Sequence, residues 1–238
     1  MNERSNKEVL INSEEIAKKV FNNYHKALQF LNSVEGDIDE SVILRIHSHC
    51  MEGVLPESAT GKYRTIDVGI SHASRTPPSW ERVRGLMDNF LTDLNRRLSK
   101  CSRGLNNLPC LIETISFAHY VFERIHPFED GNGRVGRLLC DLIAKRFRIR
   151  PIIIWPSERE KYIEVLEAVN RSGNLAHLTL FLAKELLKRY PENEPGQNPK
   201  IREVLAEIME VQKEKIEGQT KVGKETDIWR GFADPCFY

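Results

Sequence analysis

One short run of the sequence, residues 126–137, gathers residue types that together could transfer a phosphate-containing group. It reads His-Pro-Phe-Glu-Asp-Gly-Asn-Gly-Arg-Val-Gly-Arg. The Gly-Asn-Gly segment at 131–133 can adopt backbone angles that turn successive N–H groups inward around an anion. Arg134 and Arg137 are three residues apart, so both point from one face of the helix that is predicted to follow. Two guanidinium groups beside a helix N-terminus favour a polyphosphate ligand.

The same run contains a metal ligand and a base. Asp130 offers one hard oxygen ligand, and one carboxylate together with substrate phosphates is the usual way in which a protein holds Mg²⁺. His126 is the group in the run with a near-neutral pKa and the ability to accept a proton. Each part alone has a simpler explanation: the histidine could cap a helix, the Asp-Gly-Asn-Gly run could be a turn, and the two arginines could lie on a solvated helix face. Their conjunction instead predicts phosphoryl-type transfer, which needs positioning, charge neutralisation and a base.

Three other motifs were weighed against this interpretation. Residues 131–136 match the dinucleotide pattern G-x-G-x-x-G, but that pattern requires a preceding strand, and a helix is predicted here. A calcium loop starting at Asp130 would place Arg134 and Val135 where an oxygen ligand and a glycine belong. The neighbours His47, His49 and Cys50 lack a fourth metal ligand and are better explained as one half-buried face of a helix.

Apolar residues at helical spacing predict that most of the chain is helical. The predicted helices are residues 14–31, residues 41–51, a helix after the N-cap Ser79, residues 110–125, residues 134–147, a helix after a capping box of Ser157 and Glu160, residues 178–190, and a last helix from Ile201 to near Gly218. Residues 61–72 alternate in the manner of a short strand or hairpin, ended by Pro77 and Pro78. Residues 190–199, rich in Pro, Gly and Asn, are predicted to be a linker.

Composition narrows the class of partner and the compartment. The 35 Lys and Arg residues nearly balance the 34 Asp and Glu residues, which gives no general reason to expect nucleic acid or an acidic membrane as partner. The five cysteines are odd in number and include no C-x-x-C pair, which argues against a disulfide framework and favours a reducing compartment. The N-terminal residues have no apolar signal segment, and no apolar run reaches membrane-spanning length. We expect a cytoplasmic protein.

The run at 126–137 resembles the signature of the Fic family of AMP transferases, His-x-Phe-x-Asp/Glu-Gly-Asn-Gly-Arg-x-x-Arg, and matches it at every position. The likeness covers about residues 40–185. The segment 61–78 is similar to the family's hairpin flap, and the segment 162–170 is similar to its adenine-side helix. The resemblance implies an all-α, Fic-type helical domain with a small β-hairpin flap and an additional C-terminal helix. The expected divisions are an N-terminal helix (1–40), a Fic core domain (41–189), a linker (190–199), and a C-terminal helix with a tail (200–238).

The resemblance implies transfer of AMP from Mg–ATP to a Ser, Thr or Tyr hydroxyl of a target protein, with release of pyrophosphate. His126 would deprotonate the hydroxyl, Phe128 would anchor the loop, and Asp130 would bind Mg²⁺. The nucleotide-binding residues implied in this way are Asp130, Gly131, Asn132, Gly133, Arg134, Val135, Gly136, Arg137, Tyr162, Ile163 and Asn170. The flap residues implied to clamp the target are Val68, Gly69, Ile70 and Ser71.

Several alternatives stay open at the level of sequence. A Fic-type enzyme could transfer UMP, GMP or a phosphoryl group instead of AMP, and a non-catalytic adaptor could bind the nucleotide alone. Many Fic relatives carry an inhibitory glutamate that pairs with the second arginine of the signature. Glu217 is a weak candidate for that partner of Arg137, because Lys213 stands where the family has Ser or Thr. ATP and an unidentified protein are the expected partners, and homodimerisation is left open.

Overall fold

The protein is described by a computed structural model, in which residues 3–70, 75–192, 198 and 200–222 are placed. These residues form eight α-helices and contain no β-strand. The helices are α1 (Glu3–Phe30), α2 (Glu40–Met51), α3 (Trp80–Lys100), α4 (Leu108–Ile125), α5 (Asn132–Arg146), α6 (Arg159–Ser172), α7 (Ala176–Leu187) and α8 (Lys200–Val222). The all-α class predicted from the sequence is confirmed.

Helix α4 lies at the centre of the fold. Its sequence is apolar on nearly every face, the pattern of a helix that is surrounded by others, and it packs against α3, α5, α7 and α8. Phe117 and Phe122 of α4 are fully buried and meet Phe90 of α3. Because α4 leads directly into residues 126–131 and α5 follows them, the candidate loop is held between two helices that have little freedom to move.

Helix α8 shares this core. Ile201, Leu205 and Ile208 are buried, and the helix packs on α7 and α4. On its next turns, Gln212 Nε2 and Lys215 Nζ both donate to Glu113 Oε1 of α4, at 3.1 and 2.6 Å. The C-terminal helix is therefore continuous with the packing of the central helix.

Some local predictions were wrong in detail. Ser79 does precede α3, but its hydroxyl donates to Glu81 Oε2 at 3.0 Å, and Asp67 Oδ1 accepts from the first amide of the helix instead. No capping box forms at Ser157, because a 3₁₀ turn (Pro156–Glu158) precedes α6. Helix α7 ends at Leu187, three residues before the predicted end, and turns carry the chain to Tyr190.

The predicted hairpin is not seen. Residues 61–70 follow turns and irregular chain, and Ser71 lies outside the described residues. The alternation of Ile66, Val68 and Ile70 suggested a strand, but Ile66 is 53% exposed and the segment is organised by Arg64 instead. Within the described ranges, no helix is long and apolar enough to cross a membrane.

Candidate active site

His126 stands at the end of α4 with its backbone in the left-handed region. Its φ is 51° and its ψ is 60°, and its amide closes the last helical turn by donating to the carbonyl of Phe122 at 3.0 Å. Pro127 cannot continue the helix, which explains the stop. Arg64 fixes the turn from outside, since its Nε donates to the His126 carbonyl at 2.8 Å and its amide donates to the Pro127 carbonyl at 2.9 Å.

The imidazole of His126 is held in one orientation. Its Nδ1 lies 3.3 Å from the carbonyl oxygen of Glu123 and 4.0 Å from Oε2 of the same residue. A carbonyl can only accept, so this contact assigns the proton to Nδ1 and leaves the lone pair on Nε2. Burial is the main reason why the pKa of His126 is lowered from 6.5. The group is therefore a neutral imidazole, the form that can take a proton, at neutral pH.

The loop that follows is held together by its own side chains. Asn132 accepts from the Phe128 amide and donates to the Phe128 carbonyl, both at 2.9 Å, and it is 2% exposed. Phe128 is fully buried and its ring stacks on that of His47, with centroids 3.8 Å apart and planes 6° from parallel. Phe128 thus occupies the anchoring position that was expected for it.

His47 is a structural link. The amide of Gly61 donates to Nδ1 at 2.9 Å, so Nδ1 is unprotonated and Nε2 donates to the Asp130 carbonyl at 3.1 Å. Burial lowers the pKa of His47 to about 4, which keeps the ring neutral. One side chain therefore connects the start of segment 61–70 to the candidate loop.

Glycine is required where this loop turns into α5. Gly131 has a φ of 83°, and a Cβ there would lie 2.7 Å from Met51 Sδ. At Gly133 a Cβ would approach Nη1 of Arg137 to 3.3 Å. Because Gly133 has no side chain, the first amides of α5 and the guanidinium group of Arg137 border the same space. Amides at the start of a helix have no intrahelical acceptor and favour an anion.

Asp130 is an acidic residue of this loop that faces solvent, as does the neighbouring Glu129. Its side chain is 61% exposed, with Oδ2 3.2 Å from Nη2 of Arg134, while Oδ1 accepts from the Gly131 amide. No group of three or more His, Cys, Asp or Glu side chains that could hold a metal occurs among the described residues. The donor set thus fits a hard cation that takes one protein carboxylate and completes its shell with phosphate oxygens and water.

A cavity of about 510 Å³ opens beside the start of α5. This volume is within the usual range for small-molecule sites. Six predicted residues line it: Ile70, Gly133, Arg137, Tyr162, Ile163 and Asn170. Two of these side chains, Tyr162 and Asn170, are fixed by hydrogen bonds to residues of α4. The Tyr162 hydroxyl is 2.6 Å from Nε2 of His119, and Asn170 Oδ1 accepts from the Tyr120 hydroxyl at 2.8 Å.

The remaining predicted residues lie outside the wall of this cavity. The loop and first turn of α5 beside the cavity hold Asp130, Gly131, Asn132 and Arg134. Val68 and Gly69 precede Ile70 in the chain. Val135 is fully buried in the core, and Gly136 faces α4. The roles assigned to all these residues stay predictions.

Several side chains at the site were not found from the sequence. Arg64 anchors the loop, and Glu123 and Arg124 line the cavity together with Arg75 and Arg159. A signal for Glu123 was present, because His119 and Glu123 are polar residues four apart on one face of a helix that is largely apolar. Polar groups at buried helical positions are the informative exceptions to hydrophobic burial.

The fold and the loop define a helical protein in which a glycine-rich loop leads into a helix N-terminus next to a half-buried histidine. Residues 37–144 match the model of the Fic/DOC family. The chain therefore carries a domain of the Fic/DOC family, as the resemblance implied.

Named relatives and solved structures agree with this assignment. The chain is 34% identical over 163 residues to protein adenylyltransferase Fic of Nematostella vectensis, covering 67% of this chain and 36% of that protein. It is 34% identical over 163 residues to protein adenylyltransferase fic-1 of Caenorhabditis elegans, covering 66% of this chain and 30% of that protein. The chain thus spans about a third of the length of these curated relatives.

Two structures show the same fold. A Fic domain-containing signaling protein from Bacteroides thetaiotaomicron superposes with a TM-score of 0.58 at 18% identity, covering 88% of this chain and 74% of that one. A structure of Fic-1 from C. elegans gives a TM-score of 0.56 at 28% identity, covering 69% of this chain and 47% of that one.

Proposed function

We propose that the protein transfers AMP from Mg–ATP to a hydroxyl side chain of a target protein and releases pyrophosphate. The observation that carries the proposal is the neutral imidazole of His126 directly before the start of α5: the Glu123 carbonyl orients the ring, and Arg64 holds the His126 carbonyl. A binding module would need the anion site alone. A positioned base is what a transfer to a hydroxyl group needs in addition.

The phosphate part of the proposal rests on charge and backbone geometry. Arg137 lines the cavity and Arg134 lies one turn earlier on α5, so both guanidinium groups can neutralise the β- and γ-phosphates. Gly131 and Gly133 let the chain reach the α-phosphate without side chains in between. Tyr162, Ile163 and Asn170 of α6 would then contact the base.

Mg²⁺ is the cation that this arrangement would hold. Asp130 is its proposed protein ligand, with phosphate oxygens as the others, and the bound ion would neutralise charge on the phosphates. Nε2 of His126 would accept the proton of the attacking hydroxyl group, while the proton on Nδ1 stays directed at the Glu123 carbonyl. The proposed compartment is the cytoplasm, because the five cysteines include no C-x-x-C pair and therefore favour a reducing environment.

Labelled nucleotide distinguishes this reaction from its alternatives. The protein is incubated with Mg²⁺ and with ATP that is labelled at either the α- or the γ-phosphate, in the presence of a cell lysate. AMP transfer predicts protein-bound label from the α-position and a mass increase of one AMP. Label from the γ-position would instead indicate phosphoryl transfer, and the absence of both would favour an adaptor. Parallel reactions with UTP and GTP test the choice of nucleotide.

Two histidine variants assign the base. His126→Ala should reduce transfer by about 10²-fold or more, the usual contribution of general base catalysis, while Mg–ATP binding measured by calorimetry stays within about threefold. His25→Ala is the matched control, because His25 is exposed on α1. Equal activity of the two variants would remove His126 from the mechanism, and a joint loss of nucleotide binding and activity in His126→Ala would point instead to a structural role for this histidine.

A further inference from the structure

Glu123 is a carboxyl group in the wall of the nucleotide cavity. It lies three residues before His126 on α4, its side chain is only 16% exposed, and it shares the cavity wall with Gly133 and Arg137. Its Oε1 is buried and has no hydrogen-bond partner among the described residues. A carboxylate beside a site for a polyanion is unexpected, because like charges repel and a buried charge without a hydrogen bond is costly.

Gly136 provides the space for this carboxyl group. A Cβ at Gly136 would lie 2.7 Å from Glu123 Oε1 and 3.4 Å from His119 Nδ1. His119 is 1% exposed, and its Nδ1 likewise lacks a partner among the described residues. The side chain of Glu123, which belongs to α4, thus packs against Gly136 of α5. Gly136 lies one turn after the start of α5 and directly before Arg137.

The charge on Glu123 depends on Arg137. Burial raises the pKa of Glu123 to about 7, although the nearby Arg137 guanidinium opposes the shift. A phosphate bound to Arg137 would cancel that guanidinium's effect and add negative charge to the same cavity. Both changes disfavour the carboxylate form, so the pKa of Glu123 rises further when the site fills.

We propose that binding of a polyphosphate to Arg137 is coupled to the uptake of one proton from solvent by the Glu123 carboxylate. The inference rests on the proposed function only in taking Mg–nucleoside triphosphate as the ligand. The proton adds to a carboxylate oxygen, no other bond changes, and the protonated group can donate a hydrogen bond to the ligand. Glu123 thereby makes nucleotide affinity dependent on pH around neutrality.

The other groups that face Glu123 have pKa values that are shifted away from neutrality. On α4 itself, His119 has a pKa lowered to about 4 by burial, and the pKa of His126 is lowered as well. From α6, the pKa of Tyr162 is raised well above 10. From α5, burial raises the pKa of the Cys140 thiol.

Asp141 of α5 offers a matched control. Burial raises its pKa to about 7, against the opposing effects of Arg137 and of a hydrogen bond from Tyr24. It therefore resembles Glu123 in pKa and in its charged neighbour. However, Asp141 lines a different cavity, with His25 and Lys145. Neutralising Arg137 acts on both carboxyl groups, whereas the negative charge of a bound phosphate adds to the effect only in the cavity that Glu123 lines, so Glu123 should respond more strongly than Asp141.

Calorimetry measures this proton directly. Mg–ATP is titrated into the wild-type protein, Glu123→Gln and Asp141→Asn at pH 7 to 8.5, in two buffers that differ in ionisation enthalpy. The terminal phosphate is then already ionised, because its pKa is about 6. The difference in heat between the buffers gives the number of protons taken up. Adenosine serves as a ligand without phosphate.

For the wild type we expect proton uptake that approaches one at the upper end of this range, and a Kd for Mg–ATP that weakens by about tenfold between pH 7 and 8.5. Glu123→Gln should take up far less than one proton, because Asp141 alone remains to respond, and its Kd should depend less on pH and be tighter than that of the wild type at pH 8.5. Asp141→Asn should behave like the wild type, and adenosine should cause no uptake in any variant.

Three results would overturn the inference: a wild type that binds Mg–ATP without proton uptake, undiminished uptake in Glu123→Gln, or uptake lost in Asp141→Asn. The first is decisive even if Glu123→Gln fails to fold. A wild type that binds no Mg–nucleoside triphosphate at any pH would defeat the proposed function as well. The two failures are therefore distinguishable.

Discussion

Gly131 is constrained in two ways at once. Its φ of 83° lies in the region that residues with a Cβ rarely adopt, and a Cβ there would lie 2.7 Å from Met51 Sδ. Gly36 has a similar φ of 69°, but a Cβ there would meet nothing within 4 Å. The pair therefore separates backbone strain from a steric clash.

We expect Gly36→Ala to lower the free energy of unfolding by about 1 kcal/mol through backbone strain alone. Gly131→Ala should lower it by about 2–4 kcal/mol, because the clash with Met51 is added to the same strain. Urea denaturation followed by circular dichroism gives both values. Similar losses in the two variants would show that the contact with Met51 relaxes without cost.

Arg64 has a comparable role at the scale of whole elements. Its side chain is fully buried, and besides the His126 carbonyl its guanidinium donates to the carbonyls of Ile66 and Pro78. It thereby joins the end of α4 to Ile66 and to Pro78, which lies just before α3. A planar group with five donors suits this task, and an ammonium group does not.

Arg64→Lys should therefore destabilise the protein by about 2–4 kcal/mol, since buried carbonyls lose their donors. Amide hydrogen exchange should quicken at residues 64–70 and at the amide of Phe128. Lys62→Ala, an exposed neighbour in the same segment, controls for the change of sequence and should stay within about 0.5 kcal/mol. Unchanged exchange in Arg64→Lys would contradict the anchoring role.

The elements differ in how far the sequence predicts them. Helices α3, α4 and α5 were predictable because their apolar spacing is local information. The course of segment 61–70 was not, because it depends on Arg64 and on carbonyls that are distant in sequence. At the site, His126 and Arg137 stand in a recognisable run. His47 and Glu123 acquire their meaning only when α2 and α4 pack against the loop and α5.

Helix α8 provides a prediction about what belongs to the folding unit. The sequence predicts an additional C-terminal helix and leaves open whether it belongs to the core, and in the structure Leu205 of this helix is fully buried in the shared core. We expect Leu205→Ala to cost about 2–5 kcal/mol. Val211 on the same helix is 46% exposed, so Val211→Ala should cost less than about 1 kcal/mol. Denaturant unfolding of both variants tests this, and equal small losses would make α8 an appendage.

At the scale of the whole molecule, two buried histidines and two largely buried carboxyl groups among the described residues have opposite effects on the pH dependence of stability. Burial lowers the pKa of His47 and His119 to about 4, so between pH 4 and 6.5 the unfolded chain binds more protons at these positions than the folded one. Their contribution to stability therefore rises with pH in that window. Glu123 and Asp141 have raised pKa values of about 7, so there the folded protein binds more protons and stability falls as pH rises from about 4 to 7.

Because the two pairs act in opposite directions, the stability of the wild type should change little between pH 4.5 and 6.5. Asp141→Asn removes one of the falling contributions and keeps an acceptor for the Tyr24 hydroxyl. The variant should equal the wild type near pH 4, where the buried carboxyl is protonated. It should exceed the wild type by about 2–4 kcal/mol at pH 8, since each unit of pKa shift corresponds to about 1.4 kcal/mol.

Urea denaturation at several pH values between 4 and 8 measures this difference, with Asp88→Asn as the control because Asp88 is exposed on α3. A gain that grows with pH in Asp141→Asn but not in Asp88→Asn would show that a buried carboxylate is maintained near Arg137 at a cost in stability. A site for a polyanion would entail such a cost, because Arg137 must stay available to the ligand and therefore cannot form a close ion pair that would stabilise the carboxylate. A constant gain at every pH would instead assign the effect to packing, and the electrostatic account of this region would have to be abandoned.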